Sequence, residues 1–198
     1  MGNKIAGLQN TIIVLFGFAG TGKYTIGRDL ARLTGAKLID NHLINNALFT
    51  AVNADGVKPL PREIWAKLKR VRQVVYETIG ELASPELSFV FTIQLIEEDP
   101  DDYQAFADLV ELAAARGSVF VPIRLICELE ELCRRVVNPA RAAMLKQITA
   151  EAARQRAESK SVLLPRHPNL RTIDVTRKSA SDSAIEILDY VMSIAEKR

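Results

Sequence analysis

Short apolar runs alternate along the chain with longer segments of helical periodicity. The runs predict five strands, at 11–16, 36–39, 87–93, 119–125 and 170–175. Runs of this kind, rich in β-branched and aromatic residues, are typical of strands buried on both faces of a parallel sheet. Each run is followed by a segment with a helical pattern. The alternation therefore predicts an α/β fold built around a five-stranded parallel sheet.

Local signals mark the ends of several predicted helices. Gly35 and Gly117 favour helix ends, because glycine readily adopts the left-handed conformation of a C-cap. The acidic run 99–102 favours a helix start, since negative charge is stabilised at the positive end of the helix dipole. The predicted helices cover about 23–34, 41–50, 62–82, 99–117, 128–135, 149–158 and 181–195.

Composition and charge predict one ordinary globular domain over residues 1–198. Apolar residues make up 48% of the chain, and no change in composition marks a domain boundary. The net charge of +2 gives no reason to expect nucleic acid or a membrane surface as a partner. Cys127 and Cys133 form no disulfide framework, and no apolar run is long enough for a signal sequence or a membrane span. We therefore expect a cytoplasmic protein, whose oligomeric state the sequence does not indicate.

A glycine-bearing segment after the first predicted strand carries the clearest functional signal. Residues 17–25, GFAGTGKYT, match the pattern GxxxxGK at every fixed position, between a strand and a helix. Glycines let backbone N–H groups turn toward one anion, the helix N-terminus adds partial positive charge, and lysine adds a full charge. The alternative is a tight glycine turn with a solvated lysine. The segment predicts binding of a nucleoside triphosphate through Gly20, Thr21, Gly22, Lys23, Tyr24 and Thr25.

The position after Lys23 departs from the usual pattern. A serine or threonine there supplies a hydroxyl ligand for Mg²⁺, whereas this chain has Tyr24 followed by Thr25. A tyrosine hydroxyl lies too far from its backbone for the same role. Either Thr25 takes over, or water replaces the ligand, or the metal binds weakly. The departure affects the expected magnesium site and leaves the phosphate site intact.

The order of strand, glycine loop, helix and short strand ending in an acid resembles the nucleoside-monophosphate-kinase-like group of P-loop proteins. Within that group, the chain is most similar to shikimate kinase, gluconate kinase and chloramphenicol phosphotransferase. The resemblance covers nearly the whole chain in element order, but only its beginning carries a specific motif. It implies a three-layer P-loop NTPase fold with strand order 2-3-1-4-5, an acceptor-covering region at about 41–82 and a small lid at about 134–148. It also implies ATP and Mg²⁺ as cofactors.

The resemblance implies roles for two residues after the second strand. Asp40 matches an acid that helps to hold Mg²⁺, here together with Thr25, and polarises the acceptor. His42 stands where shikimate kinase has a second acid, which argues against shikimate as the acceptor. An imidazole titrates near neutrality and is able to take the acceptor's proton instead. The alternatives are that Asp40 is a helix N-cap and that His42 is a surface residue.

A basic cluster after the fourth strand resembles the lid of this group. The resemblance implies that Arg134 stacks on the adenine and that Arg141 reaches the transferred phosphoryl group, with Arg135 an alternative for either. Arginine suits both roles because its planar, permanently charged fork binds phosphate oxygens bidentately. The alternative is a solvated basic face on a short helix.

Two loops at other strand ends complete the prediction. The resemblance implies that the loop containing Thr176 curls around the adenine base, although a plain strand-to-helix connection capped by Ser179 or Ser181 is the alternative. The third strand ends in Thr92-Ile93-Gln94, without an acid. The chain also has no GTPase signature, so adenine is the expected base.

These observations leave two principal functions open. One is a kinase that moves the γ-phosphate of ATP to a hydroxyl of a small molecule, with Lys23 and Arg141 stabilising the phosphoryl group and Asp40 orienting the acceptor. The lid arginines favour it. The other is a nucleotide-binding regulatory or interaction protein with little turnover, which Tyr24 and His42 favour. An RNA-directed enzyme has only the basic run 62–72 behind it.

Overall fold

The computed structural model describes residues 7–55, 58, 60–139 and 149–195. Its strands are β1 (Thr11–Phe16), β2 (Lys37–Asp40), β3 (Phe89–Ile93), β4 (Val119–Ile126) and β5 (Arg171–Asp174). Its helices are α1 (Lys23–Thr34), α2 (Asn41–Ala51), α3 (Glu63–Leu82), α4 (Pro100–Arg116), α5 (Leu129–Val136), α6 (Ala150–Ser159) and α7 (Ala180–Ala195). Each predicted strand and helix is present, with ends that differ from the prediction by at most two residues.

The five strands form one parallel sheet in the order β2-β3-β1-β4-β5, which confirms the predicted α/β fold and strand order. In the register of the sheet, Asp40 lies opposite Thr92, and Phe16 lies opposite both Ile93 and Arg124. The last residues of β2, β3 and β1 therefore meet at one edge. The loops that follow these strands share that edge.

Helices cover both faces of the sheet, as the three-layer prediction requires. The alternating side chains of β1 separate two cores, because successive residues of a strand point to opposite faces. Phe16 packs in the core beneath α3 and α4, whereas Leu15 packs in the core beneath α1 and α7. All six residues of β1 are buried, which explains why its sequence is a continuous apolar run rather than an alternating one.

Capping contacts explain where several helices begin and end. The Gly35 N–H donates to the Ala31 carbonyl at 2.9 Å, and both Gly35 and Gly117 have the left-handed conformation expected at a helix end. The Asp99 carboxylate accepts a hydrogen bond from the Asp101 N–H at 3.0 Å. Ser179, rather than Ser181, caps α7, since its hydroxyl accepts from the Asp182 N–H at 3.0 Å.

The predicted acceptor-covering region forms a helical pair beside β2 and β3. Helices α2 and α3 share a small core of Phe49, Ile64 and Leu68, separate from the two main cores. Of the predicted lid, residues 134–139 belong to the described part of the chain, whereas Arg141 and the other residues of 140–148 lie outside it. No helix among the described residues is long and apolar enough to cross a membrane.

The acids that follow the third strand hold a neighbouring segment in place. Ile96 forms an antiparallel bridge with Val162, in the segment between α6 and β5. The Glu97 carboxylate accepts from the Leu164 N–H at 2.7 Å and from the Tyr103 hydroxyl, and these hydrogen bonds lower its pKa. The contacts assign Glu97 a structural role at this edge of the sheet.

Candidate nucleotide-binding site

The glycine loop joins the buried end of β1 to the first turn of α1. Gly22 is the residue before the helix and has a left-handed φ of 83°, and its carbonyl accepts from the Ile26 N–H at 3.0 Å. Gly20 has a φ of 93°, and a Cβ atom there would lie 2.9 Å from the Leu132 carbonyl oxygen of α5. Glycine is therefore required at position 20 both by the backbone and by the close approach of α5.

The Lys23 ammonium is held against the loop that precedes it. Nζ donates to the Gly17 carbonyl at 2.7 Å and to the Phe18 carbonyl at 2.8 Å, and it lies 3.4 Å from the Thr21 hydroxyl. The lysine side chain thus lies over the same loop whose glycines the sequence assigns to phosphate binding. An incoming phosphate would compete with these carbonyl oxygens for the ammonium group.

Asp40 and Thr92 form a buried pair at the ends of β2 and β3. The Thr92 hydroxyl donates to Asp40 Oδ1, and each residue is only 3% exposed. Asp40 occupies the N-cap position of α2, but its side chain makes no capping hydrogen bond. Its carboxylate is therefore oriented by the neighbouring strand and not by the helix that follows it.

Gln94 connects the end of β3 directly to the glycine loop. Its side-chain Oε1 accepts a hydrogen bond from the Ala19 N–H at 3.1 Å. Sequence reasoning noted Thr92 and Gln94 only because an acid was missing there. Their position at the carboxyl end of the strand adjacent to β1 is the signal that would have identified them, since ligands of open parallel sheets bind at this edge.

A cavity of about 270 Å³ lies on the other side of the glycine loop. Its lining residues come from the loop, from the first turns of α1 and α7, and from the end of β5, with one arginine from α5. They are Thr21, Gly22, Thr25, Ile26, Arg135, Val175, Lys178, Ala180 and Ser183. The volume is close to the lower end of the ~300–1,000 Å³ range of small-molecule sites.

Comparison with solved structures identifies chains of the same architecture. A gluconokinase from Sinorhizobium meliloti 1021 aligns over 96% of each chain, with a TM-score of 0.60 and 14% identity. Shikimate kinase from Acinetobacter baumannii, solved with shikimate, aligns over 92% of this chain and 93% of its own, with a TM-score of 0.56 and 20% identity. The APS kinase CysC of Mycobacterium tuberculosis, solved with AMPPNP and APS, aligns over 93% and 98%, with a TM-score of 0.55 and 19% identity.

This protein has the P-loop kinase fold. The predicted similarity to this group is confirmed at the level of architecture, by the strand order together with these alignments. No protein-family model matches the chain, and no curated protein sequence is significantly similar to it. Activity and substrate therefore have to be argued from the site itself.

Within the P-loop kinase fold, the two neighbouring arginines of α5 have different surroundings. Both are bonded to Glu131, but the Arg134 side chain is 72% exposed. Arg135 is 23% exposed, lines the cavity, and donates from Nη2 to the Val175 carbonyl at 2.9 Å and the Thr176 carbonyl at 3.0 Å. Of the two arginines, it is therefore Arg135, the alternative candidate, that lines the cavity.

The loop after β5 is anchored by its own side chains. The Thr176 hydroxyl accepts from the Glu128 N–H at 3.0 Å, and both the hydroxyl and the N–H of Thr176 donate to Asp174. These two hydrogen bonds lower the pKa of Asp174. The Thr176 side chain thus joins the loop to the start of α5.

His42 lies in the first turn of α2, two residues beyond Asp40. Its Nδ1 is 3.3 Å from Asn46 Oδ1, and its ring lies 6.2 Å from the Phe49 ring, edge to face. When Nδ1 carries the imidazole proton, it donates to this amide oxygen. Nε2 then carries the lone pair and is able to accept a proton.

The residues predicted to hold Mg²⁺ provide a sparse set of ligands. Thr25 is exposed, Tyr24 is half-buried, and Asp40 is the one buried carboxylate described at this edge of the sheet. Among the described residues, no group of three His, Cys, Asp or Glu side chains is arranged to hold a metal ion. Such a set fits Mg²⁺ only if one carboxylate, phosphate oxygens and water molecules together fill its six coordination positions.

Proposed function

We propose that this protein is an ATP-dependent kinase that transfers the γ-phosphate to a hydroxyl of a small molecule. The observation that carries the proposal is the placement of the Lys23 loop and the buried Asp40–Thr92 pair at one edge of the sheet. A phosphate-binding cation and an oriented carboxylate are the two groups that phosphoryl transfer to a hydroxyl requires.

The cavity beside the loop supports a complete nucleotide rather than an isolated phosphate. With the phosphates on the loop, the base would occupy the cavity that Arg135, Val175 and Lys178 line together. The flat face of an arginine guanidinium stacks on an aromatic base, and exposed backbone groups form hydrogen bonds with the edge of the base. The APS kinase of the same fold was solved with the ATP analogue AMPPNP, which supports a nucleoside triphosphate as the ligand here.

The proposed step is a direct transfer in which the chain mainly positions and neutralises charge. The acceptor oxygen bonds to the γ-phosphorus while the bond from that phosphorus to the β–γ bridging oxygen breaks. Lys23 stabilises charge on the phosphoryl oxygens, and Asp40 orients the hydroxyl. The hydroxyl proton passes to Asp40 or to Nε2 of His42. Mg²⁺, held by Asp40 and Thr25, would supply further neutralisation, and Arg141, outside the described residues, is proposed to reach the transferred group.

The same proposal includes the ligands of the protein and its location in the cell. The ligands are a nucleoside triphosphate, with adenine as the base, and a small-molecule acceptor, in the cytoplasm. A regulatory protein with little turnover is the second candidate. It is favoured by Tyr24, which stands directly after Lys23 and does not supply the usual metal-binding hydroxyl.

Nucleotide binding is tested by Lys23→Ala. We expect the substitution to weaken ATP binding by about 30-fold or more, because it removes a charge-assisted contact with phosphate. Lys37→Ala is the matched control, since Lys37 is an exposed lysine at the opposite end of β2 from Asp40. Calorimetric titration of the three proteins measures the affinities. Equal affinity in wild type and Lys23→Ala would overturn the proposed function.

Turnover distinguishes the kinase from the regulatory protein. ADP release is measured with ATP, Mg²⁺ and a panel of sugars, nucleosides, aminoglycosides and hydroxy acids. A kinase releases ADP in stoichiometric proportion to a phosphorylated member of the panel, and Asp40→Asn abolishes that product while ATP still binds. ATP binding without product formation from any member favours the regulatory protein.

A further inference from the structure

Five residues of α3 and its N-cap share one face of the helix. At ~100° per residue, Arg62, Trp65, Lys69, Arg72 and Tyr76 fall within a narrow sector, and we call this set the α3 stripe. Trp65 is 52% exposed, Arg62 is exposed, and the other three residues are half-buried. The stripe runs alongside the apolar face that packs Ile64, Leu68 and Ile79 into the protein.

The charge on the stripe has one sign only. The three acids of the helix, Glu63, Glu77 and Glu81, all fall on the other side, together with Lys67 and Arg70. Among the described residues, no carboxylate lies within ion-pair distance of the stripe's cations. The arginines of α5 and α6, in contrast, are paired with Glu131 and Glu130.

Contacts at its two ends place the stripe beside the candidate site. The Tyr76 ring packs edge to face on Phe91 of β3 at 5.7 Å, near the middle of the sheet. Toward the start of α3, the Trp65 ring packs on Phe49 at 6.4 Å, and the Phe49 ring in turn packs on His42. The stripe therefore rises along the sheet toward the edge where His42 and Asp40 lie.

Arg72 lies between these ends, at the level of the loop after β3. Burial raises the pKa of Tyr76 to about 12 and that of Asp102 to about 6, and the positive charge of Arg72 opposes both shifts. Asp102 also accepts from the Ile96 N–H at 2.7 Å, so this carboxylate is fixed just beyond the end of β3. Arg72 consequently stands near the carboxyl edge, where the acceptor of the proposed kinase would bind.

We infer that the α3 stripe binds the anionic group of the phosphoryl acceptor, a carboxylate or a phosphate ester, through Lys69 and Arg72. The inference deepens the proposed function and rests on it for the identity of the ligand as acceptor. Lys69 and Arg72 form no ion pair with a described carboxylate, and Asp102, the carboxylate that the charge of Arg72 does influence, is already bonded to the Ile96 N–H. A ligand anion would therefore meet two cations here. A solvated face would instead show its cations mixed with acids, as on the opposite side of the same helix.

The test uses Trp65, the only tryptophan of the chain, as the reporter. Its emission is titrated with D-glucose, D-gluconate and D-glucose 6-phosphate, three probes of one carbon skeleton that are neutral, carboxylate-bearing and phosphate-bearing. Each titration is run with and without a saturating non-hydrolysable ATP analogue. We expect a saturable change with one or both anions and none with D-glucose, and the stronger of the two anions identifies the favoured group.

Lys69→Gln and Arg72→Gln should each weaken the anion response by about tenfold, since each removes one charge-assisted contact. Lys67→Gln is the control, because it makes the same charge change on the opposite side of α3 and should shift the response less than about twofold. Unchanged affinity for the ATP analogue shows that the variants are folded.

The outcomes separate this inference from the proposed function. If no anion changes the Trp65 emission, if D-glucose acts equally, or if Lys67→Gln matches Lys69→Gln, the stripe is a solvated face and the inference is wrong. If the ATP analogue fails to bind while the anions still do, the proposed function is wrong, and the stripe remains an anion-binding site.

Discussion

The Thr92 hydroxyl donates a hydrogen bond to the Asp40 carboxylate, across the last paired position of β2 and β3. Because both residues are buried, the Thr92 hydroxyl gives the carboxylate a hydrogen bond that water would supply at the surface. The pair also fixes the direction of the carboxylate proposed to orient the acceptor.

Replacing Thr92 with valine should therefore destabilise the protein. The shape is preserved, but the carboxylate loses a donor, and we expect a loss of about 1.5–3 kcal/mol in the free energy of unfolding. Urea denaturation of wild type, Thr92→Val and Thr92→Ser measures this loss. The serine variant retains the hydroxyl and should recover most of the stability. If valine and serine variants are equally stable, the hydrogen bond does not stabilise the fold.

Arg135 and Arg134 provide a matched pair of substitutions. Both contact Glu131, but only Arg135 lines the cavity and reaches the carbonyls of Val175 and Thr176. Arg135→Ala should weaken ATP binding by about tenfold through lost stacking and a loosened loop. Arg134→Ala should change ATP affinity by less than about twofold, because an exposed pair contributes little. Calorimetric titration decides this, and a reversed order of the two effects would assign the base contact to Arg134.

Tyr24 predicts a weak dependence of ATP binding on Mg²⁺. With no serine or threonine hydroxyl directly after Lys23, the metal would have one protein ligand fewer than usual. ATP affinity is measured with Mg²⁺ and with a chelator, in wild type and in Tyr24→Ser. The serine variant should show the larger gain from Mg²⁺. A strong requirement in wild type that Tyr24→Ser leaves unchanged would show that Thr25 or Asp40 already provides the ligand.

Gly27 allows α1 to approach the sheet closely. A Cβ atom at this position would lie 2.9 Å from Leu38 Cδ1 and 3.1 Å from Thr92 Cγ2. Replacing a glycine inside a helix with alanine ordinarily stabilises a protein by about 0.5–1 kcal/mol. At Gly27 the crowding should reverse that sign and lower the unfolding free energy by about 1–2 kcal/mol.

Gly80 in α3 is the internal control for this prediction. Its added Cβ would lie 3.6 Å from Leu112 Cδ1, an ordinary van der Waals contact, so Gly80→Ala should stabilise the protein. Urea denaturation of both variants gives the comparison. Stabilisation by Gly27→Ala would mean that Leu38 and Thr92 move aside without cost.

Local signals in the sequence were sufficient for the elements and the phosphate loop. Runs such as 11–16 show their burial directly, and Gly35, Gly117 and Asp99 cap the helices where they were expected to. These features depend on residues close together in the chain, so their pattern is visible without the fold. The strand order came from the resemblance to a known architecture, since no local pattern specifies which strands are neighbours.

The contacts around the loop depend on residues that are far apart in the sequence. Gln94 reaches Ala19 from 75 positions away, and Thr92 reaches Asp40 from 52. Uncharged Thr and Gln side chains are common in loops and strands, so nothing in their local sequence indicates a site. The parallel register places the ends of β2, β3 and β1 side by side. Only this register brings Thr92 and Gln94 to the edge of the sheet at which ligands of such folds bind.

The chain by itself thus predicted where a phosphate would bind, because GxxxxGK contains the turn, the amides and the cation within a few consecutive residues. Tertiary structure decided which arginine lines the cavity beside the glycine loop and which face of α3 carries half-buried cations. Arg134 and Arg135 are adjacent and chemically identical, and α3 has cations on two sides. Their difference arises only from the direction in which each side chain leaves its helix and from what the fold has placed there.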